Sequence, residues 1–404
     1  MSVAMGSTIK EYYDAVIIGA GIAGVTAALT IKGLKPGMSV LLVNGEDRLP
    51  YKRTKISKHL RTGYQRDQFL LYPEQWYQEQ GIDLLVDRTA TGLDPASKTV
   101  SFGDNSSVTY GKLLLAPGSE PMFPKVVRPH ESDSFYVVRD ARDGERLVKG
   151  AGRAKSVLVS GMGILSVEIA SELAAMGKEV TLIGATAQLI PKQLSLRASE
   201  ILEELLTRRG IKLQFQEEIL SFEENKQHRM EVQLLRRSST FDMVVICIGV
   251  QPRLTLAIRG GLETGRGIKV DEYLRTSAPD VLSAGDAAEH PGGRITRLWH
   301  EAEYQGMIAG RNMAGEERRN EAPPFRLKAE IFDHYFFSIN KPADPLAVDS
   351  EEYETANRYW ALYFRDGLLD GVVSVNDRDR AKSFEQAVRE RWDRETVHRN
   401  FEFV

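Results

Sequence analysis

The sequence contains a single cysteine, Cys247, among its 404 residues. One cysteine excludes an internal disulfide, a Cys-x-x-Cys redox pair and a cysteine-based metal site within the chain. Cys247 lies in the apolar run "VVICIG", where a thiol is typically an inert core residue and not a nucleophile. A redox reaction of this chain would therefore have to proceed without a cysteine pair of its own.

Long apolar runs and a strong charge imbalance are also lacking. No run reaches the ~20 residues that span a bilayer, and a net charge of -3 offers no basic surface for nucleic acid or for an anionic membrane. The first residues, "MSVAMGSTIKEYY", have neither the basic start nor the apolar stretch of a signal peptide. The histidines show no metal-ligand spacing. We therefore expect a cytoplasmic protein with no bound metal and no nucleic-acid or membrane partner.

Two stretches of the chain share one outline. Residues 14–29, "DAVIIGAGIAGVTAAL", and residues 156–177, "SVLVSGMGILSVEIASELAAMG", each consist of an apolar run, a glycine-containing turn and an Ala-rich helical pattern. A further strand pattern follows each helix, at 39–44 and 178–184, so that both stretches predict βαβ units with parallel sheets. At this length, two or three domains are expected.

The first turn has the residue types that a dinucleotide site needs. Gly19 permits the tight turn, Gly21 allows the backbone to approach a pyrophosphate, and Gly24 allows the helix to pack on the sheet. Glu46 follows the next strand, where an acid is expected to bind the adenosine ribose hydroxyls. Strand, helix and acid agree, so the sequence predicts a dinucleotide site here, against the alternative of a glycine turn without a ligand.

Three further segments carry a family resemblance. The stretch "TSAPDVLSAGDAAEH", at 276–290, resembles the second FAD fingerprint of the two-dinucleotide-binding flavoproteins. "VICIGVQPRLTLA" resembles the central segment of the same proteins, and "PYKRTKISK", at 50–58, resembles their "PYxRPxLSK" loop. Over essentially its whole length the chain resembles the FAD-dependent pyridine nucleotide-disulfide oxidoreductases, in the branch of ferredoxin and rubredoxin reductases and the flavin part of NADH nitrite reductases.

The resemblance implies an α/β fold with two Rossmann-like dinucleotide-binding domains, one inserted in the other, and a small C-terminal α+β domain. The implied FAD-binding domain is discontinuous, at 10–120 and 242–322. The implied NAD(P)H-binding domain covers 121–241, and the C-terminal domain covers 325–404.

The resemblance also implies roles toward FAD for individual residues. Arg53 would lie near the phosphates, Lys58 beside the flavin ring, and Asp286 at the ribityl and phosphate region. Trp299 and His300, just before a predicted helix, would line the ring. A fixed ammonium such as that of Lys58 stabilises the negative charge that hydride transfer leaves on a flavin. The alternatives are a solvated loop lysine and ordinary aromatic packing.

The second turn corresponds to the nicotinamide-nucleotide turn of that family. Gly161 and Gly163 match its first two glycines, and Ser166 replaces the third, with a hydroxyl that can bond back to the helix backbone. Glu168 falls where the family keeps a glutamate near both nicotinamide and flavin. We therefore predict a catalytic Lys58–Glu168 pair, against the alternative of a surface glutamate on a helix.

The choice between NADH and NADPH has no clear signal in the sequence. Gly184 stands where an NADH enzyme keeps an acid for the ribose 2′-hydroxyl, and no arginine lies in the adjacent positions to bind a 2′-phosphate. Thr186 could bond weakly to either form. The lack of a basic clamp favours NADH, without excluding NADPH.

The resemblance predicts an FAD-dependent NAD(P)H oxidoreductase that passes hydride to flavin and electrons to an acceptor. Without a cysteine pair, electrons must leave the flavin directly, and the first candidate acceptor is a small iron–sulfur or rubredoxin-like carrier protein. Two alternatives remain: a reductase of a quinone, a peroxide or dioxygen, and a flavin-binding sensor or subunit without efficient turnover. A homodimer is left open.

Overall fold

The computed structural model describes residues 9–63, 67–124, 134–321 and 323–403. In these residues the helices are α1 (Ile22–Leu34), α2 (Glu74–Glu79), α3 (Ala141–Arg153), α4 (Ile164–Ala175), α5 (Leu196–Arg208), α6 (Thr255–Arg259), α7 (Trp299–Met313), α8 (Ala381–Arg389) and α9 (Arg394–Asn400). The strands are β1 (Tyr12–Ile18), β2 (Val40–Val43), β3 (Ile82–Leu85), β4 (Ala90–Asp94), β5 (Thr99–Phe102), β6 (Ser107–Leu115), β7 (Ser119–Pro121), β8 (Phe135–Val137), β9 (Ser156–Ser160), β10 (Glu179–Gly184), β11 (Lys212–Phe215), β12 (Ile219–Glu224), β13 (Met230–Leu234), β14 (Ser238–Phe241), β15 (Met243–Ile246), β16 (Val250–Pro252), β17 (Ile268–Lys269), β18 (Val281–Ser283), β19 (Ala288–Glu289), β20 (Arg326–Ile331), β21 (His334–Ile339), β22 (Asp349–Glu354), β23 (Tyr359–Arg365) and β24 (Leu368–Val375).

The chain forms two compact units, and the first is built around a mostly parallel sheet. This unit is bounded by Met1–Lys55, Gln65–Glu120 and Val250–Pro323. Its sheet has the order β3-β2-β1-β6-β5-β4, with β18 also paired to β6. Strands β1, β2, β3, β6 and β18 pair in parallel, so their carboxyl ends meet at one edge, where such sheets bind ligands.

Two helices of the first unit cross at very close range. Gly306 and Gly310 of α7 face Ala23 and Ala27 of α1. A Cβ at Gly306 would lie 2.2 Å from the carbonyl oxygen of Ala23, well inside contact distance. The glycines of α7 therefore determine how closely the two helices approach.

The second unit contains a five-stranded parallel sheet of order β11-β10-β9-β15-β8 and a three-stranded antiparallel sheet, β12-β13-β14. Strand β15 pairs in parallel with both β9 and β8, so it is an interior strand of this sheet. The prediction that the first domain resumes at residue 242 is therefore wrong. The chain returns to the first unit at Val250, and the segment Ile56–Tyr64 belongs to the second unit.

The C-terminal part folds as predicted, into a small α+β arrangement. An antiparallel sheet of order β20-β21-β24-β23-β22 packs with α8 and α9 around Trp360 and Phe384. This part clusters with the second unit, and not as a third unit of its own. One link is a hydrogen bond of 2.9 Å between the buried hydroxyls of Ser195, the N-cap of α5, and Tyr359.

No helix in the described part of the chain is both long enough and apolar enough to cross a membrane.

Substitution of Gly306 by alanine tests the helix crossing. We expect Gly306→Ala to destabilise the protein by ~1–3 kcal/mol, because the added methyl group must push two packed backbones apart. Gly33→Ala is the matched control, since Gly33 is exposed in α1 and a Cβ there meets nothing within 4 Å. The control should be neutral or stabilise by up to ~1 kcal/mol. Urea unfolding of both variants measures the change in the free energy of unfolding. Equal changes in the two variants would contradict the close packing of α7 on α1.

Candidate functional site

The first glycine turn is held in place by backbone contacts at its two ends. Gly19 has φ +108°, and a Cβ there would lie 2.0 Å from the carbonyl oxygen of Ala116, which follows β6. A Cβ at Gly24 would lie 1.9 Å from the carbonyl oxygen of Gly19. Neither position can take a larger residue without moving a strand end.

The middle glycine of the same turn faces open space. Gly21 is the extended N-cap of α1, with φ −70°, and a Cβ there meets nothing within 4 Å. The fold itself therefore does not require glycine at this position. Room above the backbone at a helix N-terminus suits a pyrophosphate, which the free N–H groups of the first turn can bind.

The acid after β2 is part of a polar cluster. Tyr51 donates a hydrogen bond of 2.8 Å from its hydroxyl to Glu46 Oε2, and the guanidinium of Arg53 pairs with Glu46 Oε1. The Arg53 guanidinium also lies 5.2 Å from the centre of the Tyr51 ring. The sequence analysis selected Glu46 and Arg53 for separate roles, and the structure brings them together. It missed Tyr51, although the residue lies inside the motif that was used.

The second fingerprint places Asp286 at the edge where the parallel strands end. Asp286 lies in a single turn of 3₁₀-helix after β18, and Ser119 donates a hydrogen bond of 2.7 Å to its Oδ2. The preceding Gly285 has φ +75°, and its N–H donates to Gln305 Oε1 at 2.7 Å. Ser119 lies 167 residues before Asp286 and Gln305 lies on α7, and sequence reasoning selected neither.

Trp299 and His300 are the first two residues of α7 and are both half-buried. They lie in the first unit, whereas Lys58 lies in the second. Their predicted role beside a flavin ring stays a prediction.

The second glycine turn repeats the geometry of the first. Gly161 has φ +136°, and a Cβ there would lie 2.3 Å from the carbonyl oxygen of Cys247, which follows β15. Gly163 is the extended N-cap of α4, and a Cβ there meets nothing within 4 Å. Ser166 is fully buried, and its hydroxyl donates a hydrogen bond of 2.7 Å to the Gly163 carbonyl. The serine thus bonds back to the start of its own helix, as its sequence position suggested.

Glu168 of α4 forms the ion pair proposed from the sequence. Lys58 Nζ lies 3.4 Å from Glu168 Oε1, and the Glu168 side chain is only 10% exposed, so it is not a surface glutamate. Ser57 donates a hydrogen bond of 2.6 Å to Glu168 Oε2. Burial raises the pKa of Glu168, while the Lys58 charge and the Ser57 hydroxyl act against that rise.

The segment that carries Lys58 is also fixed by its backbone. The Arg61 N–H donates a hydrogen bond of 3.0 Å to Glu172 Oε2, one helical turn beyond Glu168 on α4. Two carboxylates of one helix face therefore hold the residues 57–61 of the loop. Neither Ser57 nor Glu172 was selected from the sequence, since nothing local signals a contact across more than a hundred residues.

Cys247 has the properties of an inert thiol. Although the residue as a whole is partly exposed, burial of its thiol raises the pKa to about 12. The thiolate is therefore negligible at neutral pH. In the described part of the chain, no group of three or more histidine, cysteine or acidic side chains is arranged to hold a metal ion.

Residues 13–306, most of the chain, match the family model described as pyridine nucleotide-disulphide oxidoreductase. The chain belongs to the pyridine nucleotide-disulphide oxidoreductase family. Its cofactors are FAD and NAD(P)H, and the middle glycine of each turn faces open space.

Individual members of the family resemble the whole chain. The assimilatory nitrate reductase electron transfer subunit of Bacillus subtilis (strain 168) is 27% identical over 390 residues, covering 93% of this chain and 49% of that protein. The chain thus spans about half the length of that relative. The biphenyl dioxygenase system ferredoxin–NAD(+) reductase component of Paraburkholderia xenovorans (strain LB400) is 27% identical over 365 residues, with 89% of each chain covered.

A solved structure of another protein has the same fold. The covalent complex of putidaredoxin reductase with putidaredoxin matches with a TM-score of 0.86 at 20% identity, covering 96% of this chain and 94% of that chain.

Replacement of Glu168 by glutamine tests the burial of its carboxylate. Because its pKa is raised in the folded protein, the folded state binds the proton more tightly than the unfolded chain. Ionisation of Glu168 therefore lowers stability as the pH rises from the unfolded pKa through the folded pKa. Glutamine cannot ionise, so the stability of Glu168→Gln relative to wild type should increase over the pH range that begins at the ordinary glutamate pKa, about 4.3, and extends upward.

Urea unfolding of the FAD-loaded protein across this pH range measures the effect. Glu223→Gln, at an exposed position, controls for the substitution itself. A stability difference for Glu168→Gln that stays constant with pH would contradict the desolvation of this carboxylate.

Proposed function

We propose that this enzyme takes hydride from NAD(P)H onto FAD and passes the electrons to a small iron–sulfur or rubredoxin-like carrier protein. The observation that carries the proposal is the pair of glycine turns. The first and third positions, Gly19 and Gly24 in one turn and Gly161 and Ser166 in the other, are packed against the protein. The middle glycine of each turn faces open space. FAD accepts two electrons as hydride and releases them one at a time, which links a nicotinamide to a one-electron carrier.

The first unit supplies the FAD site in this proposal. Gly19, Gly21 and Gly24 form the turn, and the N-terminus of α1 binds the pyrophosphate. Glu46 binds the adenosine ribose. Arg53 binds the phosphates, either after leaving Glu46 or while still paired with it. Asp286, held by Ser119 at 2.7 Å, binds the ribityl region.

The second unit supplies the NAD(P)H site. Gly161, Gly163 and Ser166 form its turn, and the N-terminus of α4 binds the second pyrophosphate. Glu168 orients Lys58 through the 3.4 Å ion pair. The Lys58 ammonium then stabilises negative charge that develops during hydride transfer.

The acceptor follows from the cysteine and from the relatives. Cys247 is the only cysteine in the sequence and its thiol is not ionised, so the chain has no disulfide relay for electrons. The Paraburkholderia relative is a ferredoxin–NAD(+) reductase component, and the Bacillus relative is an electron transfer subunit. A one-electron carrier protein as acceptor agrees with both. A cytoplasmic location and a homodimer stay predictions.

Valine substitutions at the two middle glycines separate the two sites. Both positions have φ values that valine adopts, and a Cβ at either would meet no protein atom within 4 Å. We expect Gly21→Val to fold without FAD and with the lower melting temperature that cofactor loss causes. Gly163→Val should retain FAD, and its flavin should not be bleached by NADH or NADPH under anaerobic conditions. Gly33→Val, at an exposed helix position, is the control.

Absorbance near the flavin band follows all four proteins. Wild type that holds FAD but is bleached by neither coenzyme would overturn the reductase function and leave the sensor or subunit alternative. Loss of FAD in Gly163→Val would contradict the assignment of the two turns.

Transfer to a carrier is tested with the reduced enzyme and separate acceptors. We expect reduction of rubredoxin or of a [2Fe–2S] ferredoxin at least tenfold faster than reduction of a quinone or of dioxygen, measured by stopped-flow absorbance. Cys247→Ala should keep the wild-type rate, because a protonated thiol takes no part in the transfer. Faster reduction of dioxygen or quinone would reject the carrier, and a strong loss of rate in Cys247→Ala would reject direct transfer.

A further inference from the structure

The second nucleotide site has neither an acid nor an arginine at the end of β10. In dinucleotide-binding folds, the residue at the end of the second strand reads the ribose 2′ position: a carboxylate binds the hydroxyl of NADH, and an arginine accommodates the phosphate of NADPH. Here this residue is Gly184, which is buried at the last position of the strand.

Met162 occupies the space that an acid at this position would need. A Cβ on Gly184 would lie only 2.6 Å from Met162 Cγ. Met162 is itself 6% exposed, and its carbonyl oxygen accepts a hydrogen bond of 2.7 Å from the Ile190 N–H. A side chain at Gly184 would therefore have to displace the buried Met162 side chain, so packing opposes the carboxylate that the sequence also lacks.

The loop that follows Gly184 uses its polar groups to hold itself together. The Thr186 hydroxyl donates to the Gln188 carbonyl at 2.9 Å. Gln188 Nε2 lies within hydrogen-bond distance of two carbonyl oxygens, at 3.1 Å from that of Leu194 and 3.2 Å from that of Ser195. The exposed side chains next to Gly184 are those of Ala185, Thr186 and Ala187, which carry no charge.

Glu217 is an acid beside Gly184, and its carboxylate is already bound. The Glu217 N–H donates to the Gly184 carbonyl at 3.0 Å, so the two backbones are neighbours. Its side chain is 3% exposed, and Oε1 accepts a hydrogen bond of 3.1 Å from the Arg236 N–H. The Glu217 carboxylate therefore binds the turn between β13 and β14 and does not replace the missing acid.

We infer that Met162 and Gly184 make this site nearly indifferent to the ribose 2′ substituent, so that the enzyme uses both NADH and NADPH. The inference rests on the proposed function of the second turn. It replaces the preference for NADH that the sequence alone favoured.

Binding of the oxidised coenzymes tests the inference without turnover. We expect the dissociation constants of NAD⁺ and NADP⁺ for the FAD-loaded protein, measured by calorimetry, to agree within about tenfold. A hydrogen bond to a charged group corresponds to roughly a ten- to hundredfold difference in binding. The ratio of kcat/KM values for NADH and NADPH should agree with the binding ratio.

A double substitution tests the residues themselves. Met162→Ala with Gly184→Asp opens the space and supplies a carboxylate, and should shift the ratio toward NAD⁺ by roughly ten- to hundredfold. Met162→Ala alone is the control and should leave the ratio within a few-fold of wild type.

Two outcomes would reject the inference in distinguishable ways. A preference of more than a hundredfold for either coenzyme in wild type would overturn the inference and leave the proposed function intact. Binding of neither coenzyme would overturn the proposed function of the second turn, and this inference with it.

Discussion

The close approach of one backbone carbonyl to the first glycine of each turn determines the geometry of both candidate sites. The Ala116 carbonyl oxygen would lie 2.0 Å from a Cβ at Gly19, and the Cys247 carbonyl oxygen 2.3 Å from a Cβ at Gly161. Each carbonyl belongs to the residue that follows the neighbouring parallel strand. The N–H groups of Ala116 and Cys247 also bond to the last carbonyls of β1 and β9, at 2.8 and 2.7 Å. The turn, the strand end and the helix start are therefore fixed as one rigid piece in each unit.

The rigid turns leave the middle glycines as the only positions of the motif without a packing role. At Gly21 and Gly163 a Cβ would meet no protein atom within 4 Å, and both residues have dihedral angles that any residue can adopt. The presence of glycine at this position in both turns has a physical cause only if a ligand comes close to the backbone there. Only the tertiary structure reveals this difference, because the sequence motif does not distinguish a glycine needed by the fold from one needed by a ligand.

The Lys58–Glu168 ion pair offsets part of the cost of burying a carboxylate. Burial of Glu168 disfavours its charge, and the ammonium of Lys58 together with the Ser57 hydroxyl offsets part of that cost. A buried carboxylate with two such partners orients both of them. The ion pair thereby connects the segment 57–61 to α4. It also gives the second unit a charged group that solvent reaches only partly, with Lys58 36% exposed.

The sequence by itself determined the local parts: the strand–turn–helix units, the glycines and the acid after β2. These follow from periodicity, from backbone sterics and from motif spacing, which act over a few residues. Only the tertiary structure decided the membership of β15 in the second sheet, the contacts of Ser57 with Glu168 and of Ser119 with Asp286, and the exclusion of an acid at Gly184 by Met162. Ser57 and Glu168 are 111 residues apart, and Ser119 and Asp286 are 167 apart. Such contacts depend on how whole elements pack, and the local pattern of residues carries no record of that packing.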